Sequence, residues 1–268
     1  MTHLNDLIAR ALARGYGLDP AQQRITVAFT TTQAVRHDGR TCAYRNEVLS
    51  LRVGAAVGSC AVEPGALPAT TLEDCVSATV AELLTHPLPC VRVAALDALL
   101  MLAYPHTTAN GARPHSLAPG SSIAKSRARA RAVVELLPLE NVRRVLVVGV
   151  VNSLLEQLHH LGIDYLPCDL KGGTTERGEH IHTDAAARLD DCDALLVSGM
   201  TLGNGTFDMF LDHARDTGKP LVMFAQTGSA VLPQFLGRGV SAVCAEPYPF
   251  FWLDGGPGTI FRYGGPRR

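Results

Sequence analysis

The sequence predicts an α/β chain in which a small α+β front domain precedes a doubly wound, mostly parallel domain. Three observations carry this. Between residues 25 and 104 segments of strand character come first and helical periodicity second, without alternation, which is the order of an α+β unit. From Arg144 onward apolar runs and a 3.6-residue period alternate, as βαβ units require. Between them lies Pro105 to Ser122, a long stretch with neither period that holds three prolines and two glycines. The division is drawn there, giving a front domain over residues 1–110 and a rear domain over 111–268. A chain of 268 residues, 47% hydrophobic and 18% charged, can bury cores of that size.

Taking the elements in order, Leu4, Leu7, Ile8, Ala11 and Leu12 stand at helical spacing until Gly15 and Gly17 stop the helix. Ile25 to Val62 reads as a small antiparallel sheet with a turn at His37-Asp38-Gly39. Helices follow over 74–84 and 91–104, separated at Pro87 and Pro89. A further helix spans 123–137. Its Lys125, Arg127, Arg129 and Arg131, spaced by two, fan around more than one face and read as solvated surface. Val145 to Gly149 is an apolar run of the kind buried on both faces. After it come a helix over 154–161, strands at 165–168 and 194–198, a helix over 207–217, a strand at 221–224, a short helix near 231–236 and a strand over 240–245. Such a sheet places its ligand beyond the carboxyl ends of the strands.

Composition excludes several function classes. Twenty-four basic residues balance 25 acidic ones, so no overall field favours nucleic acid or an anionic membrane. The longest apolar segment, Val91 to Tyr104, carries Arg92 and Asp97 and is shorter than the roughly 20 residues a bilayer span takes. The N-terminus lacks the basic start and apolar run of a secretory signal. Seven scattered cysteines without a CxxC pair read as reduced thiols. The expectation is a cytoplasmic protein whose partner is a small-molecule ligand, without nucleic acid or membrane, and with a homodimer as the assembly to consider. GxSxG, HExxH and P-loop motifs are absent from the sequence. Cys60 and Cys90 are nucleophile candidates only by default.

The chemistry-bearing candidates cluster at strand ends. Gly149 ends the first rear strand, and Asn152 or Ser153 can cap the helix that follows, whose N-terminus would offer free N–H groups. The turn is not GxGxxG, so neither tight NAD binding nor, without a P-loop, tight ATP binding is expected. Asp169 ends the next strand, where such folds set an acid against ribose hydroxyls or carry a plain strand-end carboxylate. Ser198 to Thr206, S-G-M-T-L-G-N-G-T, follows a buried strand with small residues that let backbone approach a ligand. Gly199, Thr201, Leu202, Asn204 and Thr206 are its candidates, with Thr206 as helix cap. Thr227, after the next strand, adds a second polar loop on the same edge. For a metal, His180 and His182 share a face if Glu179 to Asp184 is extended, and imidazole suits divalent transition metals; a histidine-bearing surface loop is the alternative. Six aromatics between Tyr248 and Tyr263, Trp252 among them, either close over a planar ligand or pack a terminal hairpin.

The segment from Asp193 to Gly239, with S-G-M-T-L-G-N-G-T, the strand L-V-M-F and L-P-Q-F-L-G-R-G-V, resembles the putative heavy-metal chelation family. That resemblance implies an enolase-N-terminal-like front domain, a Rossmann-like rear domain and a cleft between them for a small molecule or chelated metal. Where the family tends to carry Gly-Pro followed by Ser or Thr, this chain has Ala225-Gln226-Thr227. Two functions fit these residues. One is an enzyme of specialised or metallophore biosynthesis, with S-adenosylmethionine as a cofactor candidate, its ribose at Asp169 and its methionine part at Gly149. The other is a non-catalytic protein that binds a metal or metal chelate.

Overall fold

The computed structural model describes residues 3–41, 43–68, 70–251 and 253–266; Cys42 and Trp252 lie outside them. Helix α1 (Leu4–Leu12) buries Leu7, Ile8 and Ala11, the apolar stripe of its sequence. Strands β1 (Ile25–Val35), β2 (Tyr44–Val53) and β3 (Ala56–Val62) form an antiparallel meander in that order. Short helices α2 (Thr71–Cys75) and α3 (Val80–Leu84) and the long α4 (Pro89–Ala103) follow, giving the expected α+β front unit.

The single helix expected over 74–84 is instead two. Between α2 and α3 the chain turns at Ser77, which has a positive φ, and pairs with the start of β1: Ser77 N donates to Ile25 O and Ile25 N to Ala78 O. Backbone pairing with a distant strand outcompetes the local helical period there. Pro89 occupies the first turn of α4, where its missing N–H costs nothing.

The rear sheet has seven strands in the order β4-β10-β9-β8-β7-β5-β6. These are β4 (Arg113–Leu117), β5 (Arg144–Val148), β6 (Asp164–Cys168), β7 (Ala194–Ser198), β8 (Leu221–Ala225), β9 (Ala242–Ala245) and β10 (Gly258–Gly264). Strands β5 to β9 are mutually parallel, while β10 runs antiparallel to both β9 and β4. Helices α5 (Ser122–Val134), α6 (Asn152–His160), α7 (Met200–Gly203) and α8 (Phe207–Thr217) complete it. The fold is therefore α/β, a small antiparallel unit followed by a doubly wound, mostly parallel Rossmann-like sheet. One strand escaped the sequence pattern: β4 lies inside the stretch read as unstructured, because its partner β10 is distant in sequence.

Helix α5 corrects the reading of its basic residues. Lys125 and Arg129, four apart, lie on the buried face at 1% and 5% exposure, and Arg127 and Arg131 face solvent. Lys125 Nζ donates to the carbonyls of Asp254 (3.2 Å) and Gly256 (2.6 Å). Arg129 pairs with buried Glu246 at 2.9 Å, and its guanidinium lies near the rings of Phe224 and Phe251. The aromatic tail packs as a terminal hairpin: Phe250, Phe251, Phe261 and Tyr263 are buried.

Candidate functional site

A cavity of about 700 Å³ opens between the front sheet and the carboxyl ends of β5, β6 and β7. Its rear wall begins at Gly149, whose φ of +86° suits glycine and whose Cβ, if present, would sit 2.6 Å from Ser198 Cβ. The turn thus brings β5 and β7 close enough to form one floor with Val148 and Phe224. Asp169 follows β6. Its Oδ2 accepts from Val150 N (3.2 Å) and its Oδ1 from Lys171 N (3.0 Å), so this carboxylate shapes the two loops on either side of it.

The segment after β7 is a helical turn rather than an open loop. Thr201 Oγ1 donates to Ser198 O at 2.8 Å, and Ser198 Oγ accepts from Met200 N at 3.3 Å. Thr206 does not cap α8 with its side chain; its hydroxyl donates to Asn204 Oδ1 at 2.8 Å, and its own amide donates to the same oxygen. Asn204 therefore holds the loop that faces the cavity.

Of the residues singled out from the sequence, Gly149, Asp169, Thr201, Asn204 and Thr206 line this cavity. The others stand elsewhere. Gly199 packs under the next strand, where a Cβ would lie 2.5 Å from Thr227 O. Leu202, within the helical turn, and Thr227, after β8, are buried. Asn152 and Ser153 are not caps, since Val151 holds that position without a side-chain bond. Instead Asn152 donates through its backbone amide (2.8 Å) and Nδ2 (2.5 Å) to the Tyr44 hydroxyl, and Ser153 bonds Ser126 at 2.9 Å. The helix N-terminus expected to meet a ligand thus holds a tyrosine from the front unit.

The front wall was not legible in the sequence. It comprises Tyr44 to Glu47 at the start of β2, Val62 at the end of β3 and Glu63 to Gly65 just beyond it. The Glu47 to Val62 register pair sets these two segments side by side. No local motif marks them; only sheet pairing and docking of the two units bring them to the cavity. Docking is held on both flanks. On one, Lys171 Nζ donates to Arg45 O (3.2 Å), and Arg40 pairs with Glu156 (2.5 Å) and Glu176. On the other, Gly228 N donates to Ser59 O (2.8 Å), while Asp97 on α4 accepts from Ser59 N (2.8 Å) and Ala230 N (2.7 Å).

His180 and His182 do alternate with buried Ile181 as an extended segment does, and their rings lie 5.3 Å apart. Burial first, then Arg188 and His180, lower the His182 pKa. The nearby Glu179 is turned away, accepting from Tyr165 and Thr175 hydroxyls. Among the described residues no three His, Cys, Asp or Glu side chains converge on a metal-sized site. The donor set therefore does not fit a bare ion held by protein alone, which takes at least three protein ligands in zinc sites. The six described cysteines are buried, and burial raises their thiols, that of Cys60 well above its ordinary range and that of Cys244 to about 12, which makes them poor nucleophiles.

Fold and cavity define a two-unit α/β protein with a cleft at the switch edge of a Rossmann-like sheet. Residues 132–245 match the model of the family described as putative heavy-metal chelation. Two solved structures of family members share the fold, both described as proteins of unknown function. One, from Desulfitobacterium hafniense DCB-2, is 13% identical with a TM-score of 0.52 over 91% of this chain and 87% of that one. The other, from Pyrococcus horikoshii, is 15% identical with a TM-score of 0.54 over 89% and 86%. Among curated proteins none matches the sequence. No helix among the described residues is long and apolar enough to cross a membrane.

Proposed function

We propose that the protein binds a small organic chelator carrying a metal ion in the cleft between its two units. The carrying observation is the cavity itself: about 700 Å³ falls within the range of small-molecule sites. Its walls combine apolar floor residues Val148, Met209, Phe210 and Phe224 with convergent polar groups at Asn204, Thr206 and Glu47. The family description supports a role in metal handling, and the sparse donor set among the described residues supports a reading in which the chelator supplies most of the coordination. Calorimetry with nickel(II) citrate, citrate alone and nickel(II) alone tests this. Tight binding of the complex with weak binding of both components is expected; equal binding of the free ion overturns it.

A second reading, an enzyme that uses S-adenosylmethionine, is favoured by Gly149 and Asp169 at adjacent strand ends in the same cavity. Native mass spectrometry of freshly purified protein separates the two, since an adenosine-containing adduct supports the enzyme and a metal-chelate adduct the binding protein. The division into domains at residues 110 and 111 is part of this proposal, as the cleft is taken to lie between two separately formed units.

A further inference from the structure

The charges that line the cleft are sorted by depth. Arg45, Glu47, Glu63, Asp169, Lys171 and Asp184 border it. Arg45, Lys171 and Asp184 are exposed, so water and salt screen them at the mouth. The half-buried three, Glu47, Glu63 and Asp169, are all acidic. Charges set back from solvent act through a lower dielectric and dominate the field inside.

Of these acids Asp169 is engaged by the amides of Val150 and Lys171. Glu47 and Glu63 have no side-chain hydrogen bond or ion pair among the described residues. The front sheet holds them together, since Glu47 pairs in register with Val62, the residue before Glu63. Like charges on neighbouring strands repel, and a cation in the cleft would relieve that repulsion. The positive ends of the two helices that begin at the cleft are met within the protein. The first amide of α6 donates to the Tyr44 hydroxyl, and α8, which begins after Thr206, carries Asp208 in its own first turn.

We propose that the cleft selects a ligand of net positive charge, an amine-bearing chelator, with Glu47 and Glu63 as the residues that read the charge. This rests on the chelate reading of the cleft and adds the chemical class of the chelator. A carboxylate-rich chelate meets three acids inside. Its countercharges, Arg45 and Lys171, stand only at the mouth, where the Lys171 ammonium already donates to Arg45 O. A cationic complex instead lies between the apolar floor of Val148 and Phe224 and the two glutamates of the front wall.

Calorimetry on the full chain compares nickel(II) triethylenetetramine, a dication, with nickel(II) citrate, an anion. The natural chain is expected to bind the dication at least about tenfold more tightly. Glu47→Gln and Glu63→Gln keep the shape and remove the charge. Each is expected to weaken the dication by about fivefold to tenfold without weakening the citrate complex. Melting curves report whether each variant folds, and the comparison of the two complexes on the natural chain stands without them. Metal-free triethylenetetramine that binds as tightly as its complex keeps the charge selection and removes the metal from the chelate reading. Equal affinity for the two complexes, or a preference for citrate, overturns the selection while the cleft stands as a chelate site. Binding of neither complex overturns both. A preference that both glutamine variants retain in full overturns the assignment to Glu47 and Glu63.

Discussion

Asp97 ties three elements together: it sits on α4 and accepts backbone bonds from Ser59 on β3 and Ala230 after β8. Burial raises its pKa to about 7, and the amides of Ser59, Ala230 and Val231 offset only part of that. In the unfolded chain an aspartate titrates near 4. Between about 4 and 7 the folded carboxyl keeps a proton the unfolded chain has lost, so stability falls as pH rises through that window. Urea unfolding is therefore expected to show greater stability at pH 5 than at pH 8, with an Asp97 contribution on the order of 2–4 kcal/mol. Asp97→Asn flattens this slope and, by facing one amide donor with another, lowers stability at pH 5 by about 1–3 kcal/mol. Parallel pH slopes in the two proteins would show that Asp97 does not titrate there. In the cleft, Asn204→Ala removes the acceptor for Thr206 and costs about 1 kcal/mol. With a melting curve to separate folding from binding, Asn204→Ala and Asp169→Ala are expected to weaken chelate binding in calorimetry. Unchanged affinity in both variants places the ligand elsewhere.

At the scale of elements, the tightest contact is between β3 and α4. A Cβ on Gly58 would overlap the backbone of Ala94 and Ala98, so glycine permits the helix to lie directly on the sheet. Gly58→Ala is expected to destabilise the protein by about 3 kcal/mol or more, because backbone cannot yield as a side chain can. A melting temperature within a degree or so of the natural chain contradicts this packing. Helix α5 acts on the tail through Lys125, whose ammonium satisfies the Asp254 and Gly256 carbonyls. Lys125→Met leaves both without that donor and is expected to cost about 2 kcal/mol, read by urea unfolding. The parallel strands β5, β7 and β8 were legible because burial on both faces demands continuous apolar runs. The basic spacing on α5 misled because charge alone does not tell a solvated face from one paired with Glu246 or with carbonyls.

For the whole molecule, the two sheets share no strand, yet one apolar core runs from Leu7 through α4 to Leu202 and Phe235. The segment joining them exposes Thr107, Thr108, Asn110 and Gly111. Limited proteolysis is expected to cut there, ahead of β4, and the two fragments should remain associated on a native column through the shared core. Resistance of this segment while other loops are cut argues against the proposed division. Tyr44 shows why half of the cleft escaped sequence reading. Nothing around it resembles a ligand motif, and its hydroxyl meets Asn152, 108 residues away, only because the front sheet folds back over α6.

By itself the sequence determined the succession of elements, the α/β class, the glycine turn at Gly149 and the strand-end acid Asp169. These depend on local periodicity, on φ preferences and on side chains that face their own loops. Tertiary structure alone decided that β4 and β10 join one sheet, that Lys125 and Arg129 are buried, and that the cavity has a front wall from Tyr44 to Glu47. Those outcomes depend on which distant donors and acceptors are left to satisfy one another when two units dock, information that no window of the chain contains.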